Sequence, residues 1–362
     1  MFLDRAHPPI LTDALTAGNG GAVQVGARPS VTGQAGCVDV PQGPAVVVGQ
    51  VGRDLVLEID RLPRGGRSTT VHRRRELLGG KGANQAVAMV QLGCPTALVG
   101  VLGDDAAGDL ALAQAVADGL WISGVVRRRD VQTALLVDLV ELGGARRLLE
   151  DVPGPTLLTP ADVAAAAPLL ERARAVVFQL QQPGEAVREA LGRTARDALR
   201  VVDGAPPDES TRDVLLRSVQ VLRADAVEAA LWVGSELGGP DDVREAAIEL
   251  CSMGPRVVSL AAGEHGDLTV WREPGGRLRE QLVPLLARDP VDPTGAGDSA
   301  VAALTVALLR GADPGRAARE AGAAAALTVG PLGGRPRLDP AQETRPAEQA
   351  RGDADAGPRA AR

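Results

Sequence analysis

Arg174-Ala175-Val176-Val177-Phe178-Gln179-Leu180, then a helical pattern over 184–197, then Leu199-Arg200-Val201-Val202-Asp203 decide the architecture of this chain. Short apolar runs on either side of a helical segment read as neighbouring parallel strands joined by a crossover helix. The unit recurs on both sides. A helix over 160–172 precedes it. A helix over 208–216, a strand over 218–222, helices over 226–233 and 240–253 and a strand over 255–261 follow. Such alternation predicts a doubly wound, mostly parallel sheet flanked by helices, with right-handed crossovers. Further out, 45–49, 55–59 and 96–103 read as strands, with a helix over 109–118 behind the last. The runs 133–141 and 146–149, set around Gly143-Gly144, suit a hairpin. With residues 55–76 they predict a small β-sheet lid, drawn from about 54–78 and 133–150. Helices are expected over 299–310 and 313–329. Residues 1–43, rich in Gly, Pro, Thr and Ala, and 341–362, rich in Pro, Glu, Arg and Asp, are expected to be a disordered extension and a disordered tail around a domain over 44–340.

Composition narrows the function. Of 362 residues 45% are hydrophobic, enough for a large core, yet only 1% are aromatic and none is Tyr. Stacking platforms for single-stranded nucleic acid are therefore excluded, and a net charge of −7 argues against a phosphate-backbone binder. Three cysteines, Cys37, Cys94 and Cys251, have no short metal-ligand spacing and are odd in number. They predict neither a zinc site nor a disulfide framework, and fit a reducing cytoplasm. The start, Met1-Phe2-Leu3-Asp4-Arg5 and soon Pro8-Pro9, shows no signal-like apolar stretch, and no run of about 18 apolar residues suggests a membrane span.

Two glycine turns carry the chemistry. Asp292-Pro293-Thr294-Gly295-Ala296-Gly297-Asp298-Ser299 leads into an apolar helix, so its glycines sit at a helix N-terminus, where free N–H groups and the dipole hold anions. Asp298 repels phosphate unless it has a task, such as taking a proton from an attacking hydroxyl; the plain alternative is a helix cap. Gly79-Gly80-Lys81-Gly82-Ala83-Asn84-Gln85 opens a second helix without matching the P-loop spacing, and offers Lys81 and Asn84 as donors. In open α/β sheets both turns can meet at one crevice beyond the strand ends. Asp225 and Glu228, three apart at a helix start, either organise a hydrated Mg²⁺ or complement the helix dipole. Gly263-Glu264-His265-Gly266 is a fourth loop at the same edge. The three histidines offer no Ser-His-Asp or Cys-His arrangement.

With these residues in view, positions 44 to 340 resemble the ribokinase group of carbohydrate kinases, the PfkB family. Gly79 to Ala88 is similar to the family's first signature, and Asp292 to Ser299 to its second, usually Asp-Thr-Thr-Gly-Ala-Gly-Asp. The resemblance implies an ATP-dependent sugar kinase. Asp298 would be the base, and the amides of Gly295, Ala296 and Gly297 the anion hole for the γ-phosphate. Asp54, Gly80, Lys81, Asn84 and Gln181 would hold the sugar. Asp225, Glu228, Gly263 and Gly266 would serve the nucleotide, with Glu228 meeting Mg²⁺ through water. Asp292 and Thr294 fall near a monovalent-cation site, which implies K⁺ activation, and dimerisation through the lid is implied too.

The chain departs from that pattern at several points. The family's early strand commonly ends Asn-x-Asp, whereas Gly52-Arg53-Asp54 keeps only the Asp. Gln181 stands where a Glu is typical, Asp225 where Asn is, Ala261 where Thr is, and Pro293 where Thr is. The first two leave ribose open against a nucleoside or another sugar. Asp225 and Ala261 touch the nucleotide end, and with Pro293 they leave open a non-catalytic sugar- or nucleotide-binding regulator.

Overall fold

The computed structural model describes residues 43–143, 145–287 and 291–338, all within one compact unit. The expected extension before residue 43 and the tail beyond 340 lie outside the described residues. The first half of the described chain runs β1 (Ala45–Val48), β2 (Gly52–Ile59), β3 (Val71–Gly79), α1 (Lys81–Gln91), β4 (Thr96–Gly103), α2 (Ala106–Ala117), β5 (Trp121–Arg128), β6 (Leu135–Glu141), β7 (Arg146–Asp151), α3 (Pro160–Ala165) and α4 (Ala167–Leu170). It continues with β8 (Ala175–Gln179), α5 (Gly184–Arg193), β9 (Leu199–Asp203), α6 (Glu209–Ser218), β10 (Val221–Ala224), α7 (Ala226–Val233), α8 (Pro240–Met253), β11 (Val257–Ala261), β12 (Asp267–Arg272), β13 (Leu278–Val283), α9 (Ala296–Leu309) and α10 (Pro314–Thr328).

The doubly wound sheet is present. Nine strands lie in the order β13-β12-β11-β10-β9-β8-β1-β4-β5, parallel from β11 to β5, with β12 and β13 antiparallel at one edge. Strands β1, β4 and β8 are buried along their whole length, as mostly apolar parallel strands between helices are. One face carries Leu170, Leu215, Leu222, Trp232 and Leu250; the other packs against the Ala-rich α1 and α9, whose small side chains let helix and sheet approach closely. A separate four-stranded sheet, β3-β2-β6-β7, matches the expected small sheet. Among the described residues no helix is long and apolar enough to cross a membrane.

Several sequence expectations shift. Strand β5 and the hairpin β12–β13 had no counterpart in the reading, since their charged and half-exposed residues hide the apolar pattern. The helix over 160–172 is two pieces, because Pro168 at the start of α4 cannot continue the ladder of α3. α5 stops at Arg193 rather than 197. The strand placed at 218–222 begins at Val221, because Ser218 still belongs to α6. That three-residue shift brings Arg223 into the sheet.

Candidate active site

At the carboxyl end of the sheet a cavity of about 400 Å³ opens between the two sheets. Its floor is set by two helix starts. Gly80 caps α1 at φ 87°, a left-handed value open to glycine, and its Cβ position lies 2.8 Å from the Gln50 carbonyl. Gly295 caps α9 at φ 74°, where a Cβ would run into the Gly334 carbonyl oxygen. Neither helix start is closed by a side-chain cap. Asp292 holds the α9 turn: its Oδ1 accepts from the Thr294 N–H at 3.0 Å and hydroxyl at 2.5 Å, and its Oδ2 from the Gly333 N–H at 2.9 Å.

Asp298, on the first turn of α9, is buried and does not cap the helix. Its carboxylate accepts instead from Asn84 Nδ2 at 3.2 Å and Gln85 Nε2 at 3.1 Å, both on α1. No side chain caps the helix amides, and the carboxylate lines the cavity. Burial and then the Asp203 carboxylate push the Asp298 carboxyl up to about 6, against Lys81 and the two amides. Lys81 Nζ pairs with Glu228 Oε1 at 3.0 Å. Burial opposes its charge, but Asp203, Glu228 and Asp298 together hold the ammonium above its ordinary value.

At the opposite end Asp54 accepts from the Gly80 N–H at 3.3 Å. Burial, then Asp138, raises it to about 7. Leu136, Asp138, Arg146, Leu148 and Glu150 of the small sheet form the far wall, with Asp138 and Arg146 ion-paired. Gln181 lines the cavity and accepts from Gln179 Nε2 at 3.2 Å.

A family model described as pfkB family carbohydrate kinase matches residues 44–340. The chain belongs to that family. It is similar to a ribokinase of Arabidopsis thaliana, at 28% identity over 83% of this chain and 80% of the relative. It is also similar to one of Bacillus subtilis, at 29% identity over 82% of this chain and 97% of the relative. The solved structure of the Arabidopsis thaliana ribokinase complexed with ribose and ATP superimposes with a TM-score of 0.65, at 25% identity over 83% of this chain and 98% of that one. The chain is thus a carbohydrate kinase of the ribokinase-like fold.

In this pfkB-family kinase the cavity collects most of the residues read from the sequence: Asp54, Gly80, Lys81, Asn84, Gln181, Asp225, Thr294, Gly295, Gly297 and Asp298. It does not collect all. Ala296 is not in the lining, and its N–H points at the Pro293 carbonyl at 3.4 Å. Asp225 and Glu228 form a capping box at the start of α7, each carboxylate accepting from the other's backbone N–H at 2.8 and 2.9 Å. The helix-start reading thus describes their bonding. Asp225 faces the cavity, whereas Glu228 is turned to Lys81. Burial would raise the Glu228 carboxyl, but Lys81 and the Asp225 N–H hold it below the usual range. Gly263 and Gly266 shape a turn after β11, one strand beyond Asp225 at the same sheet edge and outside the cavity lining. Among the described residues no three His, Cys, Asp or Glu side chains cluster as a metal cage.

The sequence reading missed Asp203, Arg223, Asp138, Arg146 and Glu150. A signal existed for the first two. Asp203 ends a strand on the ligand-binding edge, and Arg223 is a charge inside an otherwise apolar strand. The small-sheet residues alternate inward along β6 and β7, but an exposed charged hairpin gives no sign of which face meets a ligand.

Proposed function

We propose that this kinase transfers the γ-phosphoryl group of ATP to a primary hydroxyl of ribose or a similar small sugar. The observation that carries the reading is the Asp298 carboxylate. Side chains of α1 hold it off the helix amides, it lines the cavity, and burial raises its basicity. In the reaction the sugar oxygen forms a bond to the γ-phosphorus, the bond from that phosphorus to ADP breaks, and the hydroxyl proton passes to Asp298. The open amides at Gly295 and Gly297 receive the phosphoryl oxygens, with Ala296 completing the turn. Asp54, Gly80, Lys81, Asn84 and Gln181 hold the sugar, and the small sheet closes over it as a lid that excludes water. The rest of the nucleotide extends past Asp225 toward the Gly263–Gly266 turn. Mg²⁺, when bound, supplies charge neutralisation at the triphosphate, with Asp225 and Glu228 on that side. Asp292 and Thr294 are the residues for a K⁺ site, and the enzyme works in the cytoplasm.

One observation favours a second acceptor. A Cβ on Gly52 would lie 2.8 Å from the Ala134 carbonyl oxygen, so the sugar-holding Asn of the family has no room there, and Gln181 lacks the usual carboxylate charge. The acceptor is then a nucleoside or another sugar. A coupled ADP-release screen over ribose, fructose, 2-deoxyribose, adenosine and pseudouridine decides between them. Turnover with ribose supports the first reading, and silence with ribose beside turnover of another acceptor replaces it by the second. Calorimetric binding without turnover of any acceptor would overturn both in favour of a regulator.

A further inference from the structure

We propose that Arg223 is a further catalytic residue, whose guanidinium, seated against Gly297 at the open N-terminus of α9, neutralises the phosphoryl group during transfer. The inference rests on the kinase reading above. Strand β10 sets Arg223 directly opposite Asp203 of β9. Its Nη1 donates to Asp203 Oδ1 at 3.2 Å. A Cβ built on Gly297 would lie 2.7 Å from Arg223 Nη2 and 2.8 Å from Nη1, and both residues line the cavity. A methyl group at 297 would meet the guanidinium and displace it.

The surrounding charges favour this role. Among the described residues that line the cavity the cations are Lys81, Arg146 and Arg223. Arg146 pairs with Asp138 on the small-sheet wall, and Lys81 is drawn to Glu228. Arg223 is the cation beside the anion-holding turn. Burial works against its charge, yet Asp203, Asp267 and Glu228 hold it above its ordinary value, so it stays charged. A planar fork with fixed N–H directions suits a phosphoryl group that spreads charge over three equatorial oxygens, and a cation already in place need not reorganise as that charge develops. No proton moves through it; the proton balance remains that of Asp298.

Asp203 acts as a positioning residue. Gln85 Nε2 donates both to Asp203 Oδ2 at 2.8 Å and to Asp298 Oδ1 at 3.1 Å, so one amide ties the partner of Arg223 to the base. Burial pushes the Asp203 carboxyl up against the pull of Arg223.

Because R223M leaves Asp203 buried without its partner, the test compares R223M/D203N with D203N, alongside R223K, each checked for folding by circular dichroism. With the best acceptor, the double variant should lose about 10²–10³ in kcat relative to D203N with acceptor KM within about threefold, and R223K should keep about a tenth of wild-type kcat. A second readout needs no acceptor: the affinity for AMP-PNP relative to ADP, by calorimetry, should fall at least about tenfold on losing the guanidinium. A kcat within about threefold of D203N, or an unchanged AMP-PNP to ADP ratio, would overturn the proposal and leave Arg223 a structural partner of Asp203. If wild-type protein turns over no acceptor, the kinase reading fails by itself, and the nucleotide ratio still decides the case of Arg223.

Discussion

The two ends of the cavity are built differently. At the α9 end the shape is backbone: Gly295 has a left-handed φ of 74° against the Gly334 carbonyl, Gly297 lies under Arg223, and Asp292 fastens Thr294 and Gly333. Each position admits few residues. At the acceptor end the shape is side chains, with Asp54 on β2 and Asp138, Arg146 and Glu150 on strands that belong to a separate sheet. Strand β7 is half-buried at its first residue and exposed along the rest. Exchange of a β7 side chain beyond Arg146 therefore disturbs little else. On the proposed function, this difference would separate reaction type, set by constrained backbone, from choice of acceptor, set by side chains of the small sheet.

The largest expected effect lies at the backbone-built end. D298N should lower kcat by at least about 10²–10³ with acceptor KM changed less than about threefold, measured by coupled ADP release. The wild-type kcat should rise with pH through about 6, where burial has placed this carboxyl, and level off above. D298N should flatten that rise. Activity within a few-fold of wild type would dissolve the contrast, because the end assigned to chemistry would then hold no base.

A smaller loss is expected from G295A. An Ala at φ 74° carries strain of about 1–3 kcal/mol, and its Cβ meets the Gly334 carbonyl, so the turn must shift. Calorimetry should show Tm lower by about 2–5 °C, and kcat should fall roughly tenfold as the open amides move off target. Full activity with lowered Tm would make the turn a structural feature only.

The same contrast explains what the sequence makes legible. The glycine turns can be read because glycine at a left-handed or crowded position is nearly obligatory, and the helices that follow are marked by long apolar stretches. The parallel strand β8 is legible because full burial leaves no polar residue in Ala175, Val176, Val177 and Phe178. Arg223 leaves a weak signal as a charge in an apolar strand, but a strand expected over 218–222 ends before it, and its partner Asp203 is 20 positions away in sequence and opposite in register. Asp138 and Arg146 escape notice because an ion pair across a hairpin looks like surface until the second sheet is set against the first. Asp225 and Glu228 show the reverse: their spacing fits both a metal and a capping box, and the hydrogen bonds of the fold are those of the box.

The smallest effect tests the side-chain end. D54N should raise acceptor KM about tenfold while kcat stays within about threefold, since a hydroxyl partner is lost and the base is untouched. A kcat loss as large as that of D298N would break the division between the two ends. The same variant has a pH signature in stability. Burial and Asp138 raise the Asp54 carboxyl from 3.8 to about 7, so between those values the folded chain binds a proton that the unfolded chain has released. Stability from this group is therefore full below the unfolded value, falls as pH rises, and is flat above about 7. The amide of the variant cannot titrate, so denaturant unfolding should show D54N gaining on wild type between about pH 4 and pH 7, by up to a few kcal/mol. If wild type gains instead, Asp54 is ionised in the fold and held by donors stronger than the Gly80 N–H. The acceptor end would then be as rigidly prepared as the α9 turn.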